Sequence, residues 1–177
     1  MVVHESTTDG DDYIRSGNAT ADSDSLSMTG WFNVDQVLGA EQVFVFEGDD
    51  VNLSDILAQI DTSGHFKFRT KDNDILLSTS PVTAGEWHHF VCSADASGDL
   101  KTIWIDGVKV AENSAWTGTA NVGFHEPLTV GTIFDSSVRN YFTTGSLDDI
   151  RIYDRALSAE EVTALYNLES GSGSGST

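Results

Sequence analysis

TGSLDDIRIYDRALSAEEVTALYN, residues 144–167, is the stretch that decides the fold. Within it, the segment DDIRIYDRAL alternates Ile150 and Ile152 with Arg151 and Tyr153. Alternation with a period of two places apolar side chains on one face of an extended chain. The segment therefore predicts a half-buried closing strand.

The second half of the same stretch predicts a helix. Ser158 and Glu161 have the spacing of a capping box, in which each side chain can accept a hydrogen bond from the other residue's backbone N–H. Val162, Leu165 and Tyr166 then follow at helical spacing and form one apolar stripe. A single short amphipathic helix is expected to close the chain.

The sequence before this ending repeats a short-strand pattern. Most stretches carry an apolar residue at every second position, and turn residues separate them. The predicted strands are residues 25–34, 41–48, 64–71, 74–80, 86–95, 101–113, 125–133 and 146–154. Many short strands with frequent turns indicate an all-β sandwich or barrel.

Turn residues predict where consecutive strands form hairpins. Asp106 and Gly107 separate two alternating runs, and an Asp-Gly loop of two residues readily adopts the positive φ angles of a type I′ turn. The stretches KDND (71–74) and DASGD (95–99) are rich in residues that bond their own backbone or tolerate left-handed conformations. We expect hairpin ends at all three places.

The charge of the chain restricts its partners. Lys and Arg number 9 against 28 Asp and Glu, which gives a formal net charge of −19. Such a chain repels phosphate backbones and anionic membrane surfaces, so no nucleic-acid partner is expected. We find no run of about 20 apolar residues, which argues against membrane insertion. Cys92 is the single cysteine, so an internal disulfide is excluded, and its apolar surroundings predict a buried thiol.

The length and composition fit one domain. The chain has 177 residues, of which 39% are apolar, and this suffices for one sizeable core. We expect a single domain over residues 1–169, followed by a flexible Gly/Ser tail or linker over residues 170–177. The start of the chain lacks the basic and apolar pattern of a signal peptide.

Three stretches together resemble the laminin-G-like, concanavalin A-like jelly-roll domains. They are GSLDDIRIYDRALSAEEVTALYN (145–167), GEWHHFVCSADASGDLKTIWIDGVKV (85–110) and DGDDYI (9–14). The resemblance covers most of residues 9–168 and implies a two-sheet antiparallel jelly-roll β-sandwich with one short C-terminal helix. Members of this family occur as non-catalytic modules of secreted carbohydrate-active enzymes, adhesins and phage tail proteins. Many bind a sugar, and some hold a structural calcium.

Acidic residues at both ends of the chain suggest a calcium site. Calcium prefers six to eight oxygen ligands, many of them carboxylates. The resemblance implies that the chain ends lie side by side, so we expect a structural calcium to be held by Asp9, Asp11, Asp12 and Asp148. The alternative is a solvated acidic turn and an Asp148 carboxylate that accepts local backbone N–H bonds.

Sugar binding requires an aromatic side chain that can stack on a sugar ring. Trp31, Trp87 and Trp104 lie in strands that match the family's core pattern, so we expect them to pack in the core. Trp116 lies in a polar, glycine-bearing stretch, where it would be either an exposed platform or an aromatic plug over the end of the core. If two loops meet at one rim, the predicted ligand-binding residues are Trp116, Asn121, His125, Arg139, Asn140 and Tyr141.

No motif in the sequence indicates catalysis. A retaining glycosidase needs two carboxyl groups that face each other across the scissile bond, and the nearest candidate, EGDDVN (47–52), lacks the second Glu of the jelly-roll glucanase pattern. His88 and His89 are adjacent on a strand, so they point to opposite faces. We therefore expect a protein without enzymatic activity.

Two functions remain open at this point. The favoured one is a carbohydrate-recognition module of a secreted, cell-surface or virion-surface protein, with a glycan as partner. The other is a structural or assembly domain of an adhesin or phage particle, with a protein as partner. A pocket next to an exposed tryptophan would favour the first, and an apolar patch or an oligomer in solution would favour the second.

Overall fold

The computed structural model describes residues 2–6, 12–18, 24–48, 56–70, 74–117, 127–135 and 138–171. These ranges contain fourteen strands and one helix. In chain order they are β1 (Val2–Ser6), β2 (Asp12–Asn18), β3 (Ser25–Val34), β4 (Gln42–Glu47), β5 (Ile56–Ile60), β6 (His65–Arg69), β7 (Ile75–Pro81), β8 (His88–Asp95), β9 (Leu100–Ile105), β10 (Val108–Asn113), β11 (Pro127–Val130), β12 (Ile133–Asp135), β13 (Val138–Asn140), β14 (Gly145–Tyr153) and α1 (Ala159–Glu169).

The strands form two facing antiparallel sheets, as predicted. One sheet has seven strands in the order β1-β2-β11-β4-β5-β6-β7, and the other has five in the order β10-β9-β8-β3-β14. Strands β12 and β13 pair with each other as a small separate ribbon. All the strand pairs are antiparallel, and several neighbours in space are distant in sequence, which is the arrangement of a jelly-roll sandwich.

Phenylalanine rings fill the space between the sheets. Phe32 and Phe90 come from the five-stranded sheet, and Phe44 and Phe66 come from the seven-stranded one; all four are fully buried. The Phe32 and Phe44 ring centroids lie 4.7 Å apart, and those of Phe66 and Phe90 lie 5.2 Å apart. Burying each such ring contributes roughly 1.5 to 3 kcal/mol to stability. This core holds the two sheets together.

The sequence pattern missed strand β5. Ile56–Ile60 has the sequence ILAQI, and all five residues are buried. Ile56, Ala58 and Ile60 face the main core, whereas Leu57 packs on the other face of the sheet with Val43. A strand that is covered on both faces has no polar face, so it shows no alternation to detect.

The predicted hairpins are present where the structure describes them. Asp106 and Gly107 connect β9 to β10 with φ angles of 52° and 74°, as a type I′ turn requires. Asp95 pairs with Leu100 across the β8–β9 hairpin, and Asp99 also has a positive φ of 52°. Strands β6 and β7 pair as expected, although residues 71–73 between them lie outside the described ranges.

Helix α1 packs on the outer face of the five-stranded sheet. Ser158 and Glu161 form the predicted capping box. Val162 is fully buried against Val91 of β8 and Leu157, and Leu165 is packed against the same cluster. The five-stranded sheet is therefore covered on both faces, which explains why β3 and β8 are buried almost throughout. Within the described ranges, no helix is long and apolar enough to cross a bilayer.

Candidate functional site

The closing strand contains a β-bulge that the sequence pattern did not predict. Asp148 pairs with Trp31 and Arg151 pairs with Thr29, so β14 has one more residue than β3 over this segment. Asp149 has a φ of 50°, and its N–H donates a hydrogen bond of 2.8 Å to Asp148 Oδ1. A bulge lets two consecutive side chains leave the sheet on the same side.

The bulge points both aspartates away from the core. Leu147 before it and Ile150 after it are packed against the core between the sheets. Asp148 and Asp149 both line a pocket on the outer face of the five-stranded sheet, where the end of α1 meets β3 and β14. The sequence LDDI is therefore suited to place two carboxylates together on a surface while the strand remains anchored.

This pocket is the candidate functional site. It has a volume of about 460 Å³, within the range typical of ligand pockets. We call it the Trp31–Trp87 pocket. Its lining residues are Trp31, Trp87, Asp148, Asp149, Tyr166, Glu169 and Ser170. Trp87 is 46% exposed, whereas the rings of Trp31 and Tyr166 lie stacked with centroids 5.9 Å apart. The pocket thus combines three aromatic side chains with three carboxylates.

Polar contacts hold the floor of the pocket in place. Trp31 Nε1–H donates a hydrogen bond of 2.9 Å to Glu169 Oε2, and Arg151 bonds to Glu169 Oε1 through Nη1. Arg151 Nη2 also lies 3.2 Å from Asp149 Oδ2. The positive charge of Arg151 is therefore shared between two carboxylates. Asp148 also lines the pocket, and it forms no ion pair with any described residue.

His89 lies beside this polar cluster. Its ring is 1% exposed, lies 5.2 Å from the Trp31 ring, and places Nε2 3.6 Å from Glu169 Oε2. Neither ring nitrogen has a hydrogen-bond partner among the described residues. Burial lowers the pKa of His89 below 6.5, and Glu169 opposes this shift only in part. The imidazole is therefore neutral at neutral pH and packs as a partly apolar ring.

His88 points the other way, as predicted for adjacent strand residues. Its Nδ1 lies 2.7 Å from Asp106 Oδ2, and its Nε2 lies 2.7 Å from Thr83 Oγ1. The hydrogen bond with Asp106 raises the pKa of His88 above 6.5. The backbone N–H of His89 donates a hydrogen bond of 2.8 Å to the other carboxylate oxygen of Asp106, Oδ1. These contacts tie β8 to the β9–β10 turn and give the histidine and aspartate a structural role.

Trp87 contradicts its predicted place in the core, and Trp116 takes one of its two expected roles. Trp116 is only 2% exposed and belongs to the core between the sheets, so it acts as the aromatic plug and offers no stacking platform. Trp87 precedes β8 and was expected in the core, but nearly half of its surface is exposed. Trp31 faces the outer side of its sheet because its neighbour Phe32 occupies the core.

The other predicted ligand-binding residues are only partly described. Arg139 and Asn140 lie in β13, where they pair with Phe134 and Ile133. Tyr141 is 48% exposed, has a φ of 61°, and accepts a 3.0 Å hydrogen bond from the Val43 N–H through its carbonyl oxygen. Asn121 and His125 lie outside the described residues.

The predicted calcium ligands are not brought together by what the structure describes. Asp9 and Asp11 lie outside the described residues, and Asp12 begins β2 in the seven-stranded sheet. Asp148 lies in the five-stranded sheet, where its strand pairs with β3. Asp148 accepts a hydrogen bond from the backbone N–H of Asp149, which is the contact expected if its carboxylate bonds to local backbone rather than to a metal. Among the described residues, no three His, Cys, Asp or Glu side chains form a metal-binding group.

Glu169 is the pocket residue for which the sequence offered no signal. It lies at the last position of α1, 138 residues from Trp31. Tyr166 was recognised only as part of the apolar stripe of the helix. Their joint position depends on how the helix crosses the sheet, which no local pattern specifies.

Comparison with known families identifies the fold. A family model described as Laminin_G_3, Concanavalin A-like lectin/glucanases superfamily, matches residues 8–163. No curated protein matches the sequence.

Three solved structures are similar to this chain at low sequence identity. A carbohydrate-binding module, CBM40, of the Ruminococcus gnavus IT-sialidase bound to α2,3-sialyllactose has a TM-score of 0.66 and 14% identity over 81% of this chain and 83% of that one. Domain 4 of AbnA, an arabinanase from Geobacillus stearothermophilus, was solved in complex with arabinotriose. It has a TM-score of 0.61 and 19% identity, and the match covers 94% of this chain and 81% of that one. The NanB sialidase from Streptococcus pneumoniae has a TM-score of 0.68 and 17% identity, but the match covers 80% of this chain and only 24% of the sialidase chain.

Proposed function

We propose that this chain, which belongs to the concanavalin A-like lectin/glucanases superfamily, is a non-catalytic carbohydrate-binding module of an extracellular or surface protein. The observation that carries the proposal is the exposed Trp87 ring, which lines a pocket together with three carboxylates. Such a site binds and releases a glycan without changing it.

The chemistry of the Trp31–Trp87 pocket suits a sugar. The face of a Trp87 indole can stack on the apolar face of a pyranose ring, and this contact removes apolar surface from water. Sugar hydroxyl groups can donate hydrogen bonds to the oxygens of Asp148 and Asp149, which both line the pocket. A few polar groups beside aromatic surface are typical of sites that bind small ligands.

The contacts of the carboxylates favour binding over catalysis. Glu169 accepts hydrogen bonds from both Trp31 and Arg151, so both of its carboxylate oxygens already have partners. Asp148 and Asp149 emerge side by side from one bulge rather than from opposite walls of a cleft. A glycosidase requires a carboxylic acid and a second carboxylate that flank the scissile bond. The structural relatives that bind sialyllactose and arabinotriose support the choice of a glycan as ligand.

The proposal is tested by glycan-array binding with three matched variants. We expect Trp87→Ala to weaken binding by roughly 30-fold, which corresponds to about 2 kcal/mol for an anchoring tryptophan. Leu168→Ala, at a side chain that is 75% exposed outside the pocket, should leave binding unchanged. If Tyr141→Ala abolishes binding while Trp87→Ala does not, the site lies on the predicted loop rim instead. A blank array with folded protein would contradict glycan binding altogether.

The alternative of an assembly domain has its own support. Ile75 and Leu77 alternate on edge strand β7 and are 49% and 43% exposed, so they place apolar surface at the edge of the seven-stranded sheet. Light scattering during size-exclusion chromatography distinguishes the two functions. A monomer with glycan affinity supports the binding module, whereas an oligomer that dissociates on Leu77→Lys supports assembly.

Calcium binding by Asp9, Asp11, Asp12 and Asp148 stays a prediction. It is tested by thermal melts in about 1 mM calcium and in chelator, a concentration at the weak end of extracellular calcium sites. We expect a higher Tm with calcium, and we expect Asp148→Asn to reduce that increase. An equal effect of Asp148→Asn in both solutions would contradict a metal-binding role for this residue.

A further inference from the structure

The Trp31–Trp87 pocket carries an excess of negative charge. Asp148, Asp149 and Glu169 contribute three carboxylates, and Arg151 is the only cationic side chain bonded to any of them among the described residues. These four side chains together carry a net charge of −2. The whole chain adds to this field, since its formal charge is −19. An acidic sugar that enters the pocket is therefore repelled both by the pocket carboxylates and by the net charge of the whole chain.

The aromatic rings of the pocket also favour a cation over an anion. The face of a tryptophan or tyrosine ring carries negative charge from its π electrons and attracts a cation within about 6 Å. Three such rings line the pocket, and Trp87 remains accessible. A cation placed against Trp87 and beside Asp148 would gain both interactions. It would also compensate the one pocket carboxylate that has no ion pair with a described residue.

A bare metal ion does not satisfy these features. No group of three metal-ligating side chains exists among the described residues, and Glu169 is already engaged by Trp31 and Arg151. An organic ammonium group needs only one carboxylate and an aromatic face. A sugar that carries a protonated amine provides this group together with a ring that can stack.

We infer that the Trp31–Trp87 pocket prefers glycans of amino sugars with a free amine over neutral and acidic glycans. This inference rests on the proposed glycan-binding function and names the ligand class of the same pocket. It separates this chain from the structurally similar carbohydrate-binding module that was solved with sialyllactose, an acidic sugar.

The test compares three oligosaccharides of equal length by isothermal titration calorimetry. The glucosamine tetramer is cationic, its N-acetylated form is neutral with the same sugar rings and linkages, and cellotetraose is neutral without nitrogen. Lactose and 3′-sialyllactose provide a neutral and acidic pair. We expect the glucosamine tetramer to bind about fivefold more tightly than the N-acetylated form, which is the upper end of the range for an exposed ion pair. Sialyllactose should bind more weakly than lactose.

Two variants assign the preference to the pocket. Asp148→Asn keeps the shape of the side chain but removes its charge, so the ratio of the two affinities should fall toward one. Asp24→Asn removes the same charge at the far end of β3 and should leave the ratio unchanged. Because exposed charges are screened by salt, the ratio should also fall between about 0.05 and about 0.5 M NaCl.

A non-specific attraction to the acidic surface is distinguished by a peptide of four lysines. If this peptide binds as tightly as the glucosamine tetramer, and Trp87→Ala changes neither, the preference for amino sugars is wrong. Equal binding of the cationic and neutral tetramers overturns the inference and leaves the proposed function intact. Failure of every glycan to bind overturns both.

Discussion

Lys101 and Trp116 lie together at one end of the core. The Lys101 Nζ lies 5.6 Å from the Trp116 ring and 5.0 Å from the Phe68 ring. The ammonium group donates hydrogen bonds of 2.7 Å to Asp74 Oδ1 and 3.1 Å to Thr70 Oγ1. A fully buried lysine is stabilised only when hydrogen bonds and an opposite charge replace its water. Trp116 helps to keep water away from this group.

We therefore expect Trp116→Ala to destabilise the protein strongly. The substitution removes a buried ring from the core, and such a change costs about 3 to 5 kcal/mol. Trp87→Ala is the matched control, and because its ring is partly exposed it should cost less than about 1.5 kcal/mol. Urea unfolding followed by circular dichroism measures both. Equal losses for the two variants would contradict the assignment of Trp116 to the core.

At the scale of elements, the bulge in β14 depends on the backbone of Asp149. A non-glycine residue with a φ of 50° is in the left-handed region, which Asn and Asp tolerate and β-branched residues do not. We expect Asp149→Val to cost about 1 to 2 kcal/mol more than Asp149→Asn. Both variants lose the carboxylate that pairs with Arg151, so the difference between them reports chiefly the backbone conformation. Thermal unfolding gives the comparison, and equal stabilities would show that the bulge has no such requirement.

Strand β8 places two histidines in environments with opposite effects on their pKa values. The raised pKa of His88 means that its bond to Asp106 stabilises the fold below pH 6.5, and this contribution is lost as pH rises through the folded pKa. His89 has a lowered pKa, so stability is retained above pH 6.5 and is lost as pH falls through that value toward the folded pKa. The contributions of the two histidines to stability are therefore both fully present only near pH 6.5.

Proton NMR titration of the imidazole C2–H signals tests this directly. We expect the midpoint of His88 above 6.5 and that of His89 below it. Asp106→Asn should lower the titration midpoint of His88, because the hydrogen bond with the Asp106 carboxylate contributes most to its raised pKa. The midpoint of His89 should stay below 6.5. A single shared midpoint for both histidines would contradict the two environments.

For the whole molecule, the formal charge of −19 is the dominant electrostatic feature. Like charges repel across the surface of the folded state, and salt weakens this repulsion. We expect the Tm to rise by about 3 °C between about 0.02 and about 0.5 M NaCl, which corresponds to roughly 1 kcal/mol for a domain of this size. A triple variant with Asn at the exposed positions of Asp24, Asp35 and Asp99 should respond less. A Tm that does not change with salt would contradict this account.

The sequence by itself determined the class of fold and its ending. Alternating strands, the Asp106-Gly107 turn and the Ser158–Glu161 capping box were all predicted, because each depends on side chains that act on backbone groups a few residues away. The tertiary structure alone decided which tryptophan is exposed. Exposure of Trp87 and burial of Trp116 depend on what lies opposite each ring, and those neighbours come from distant parts of the chain. The candidate site likewise depends on residues that are distant in sequence, since it forms where the end of α1 meets the bulge of β14.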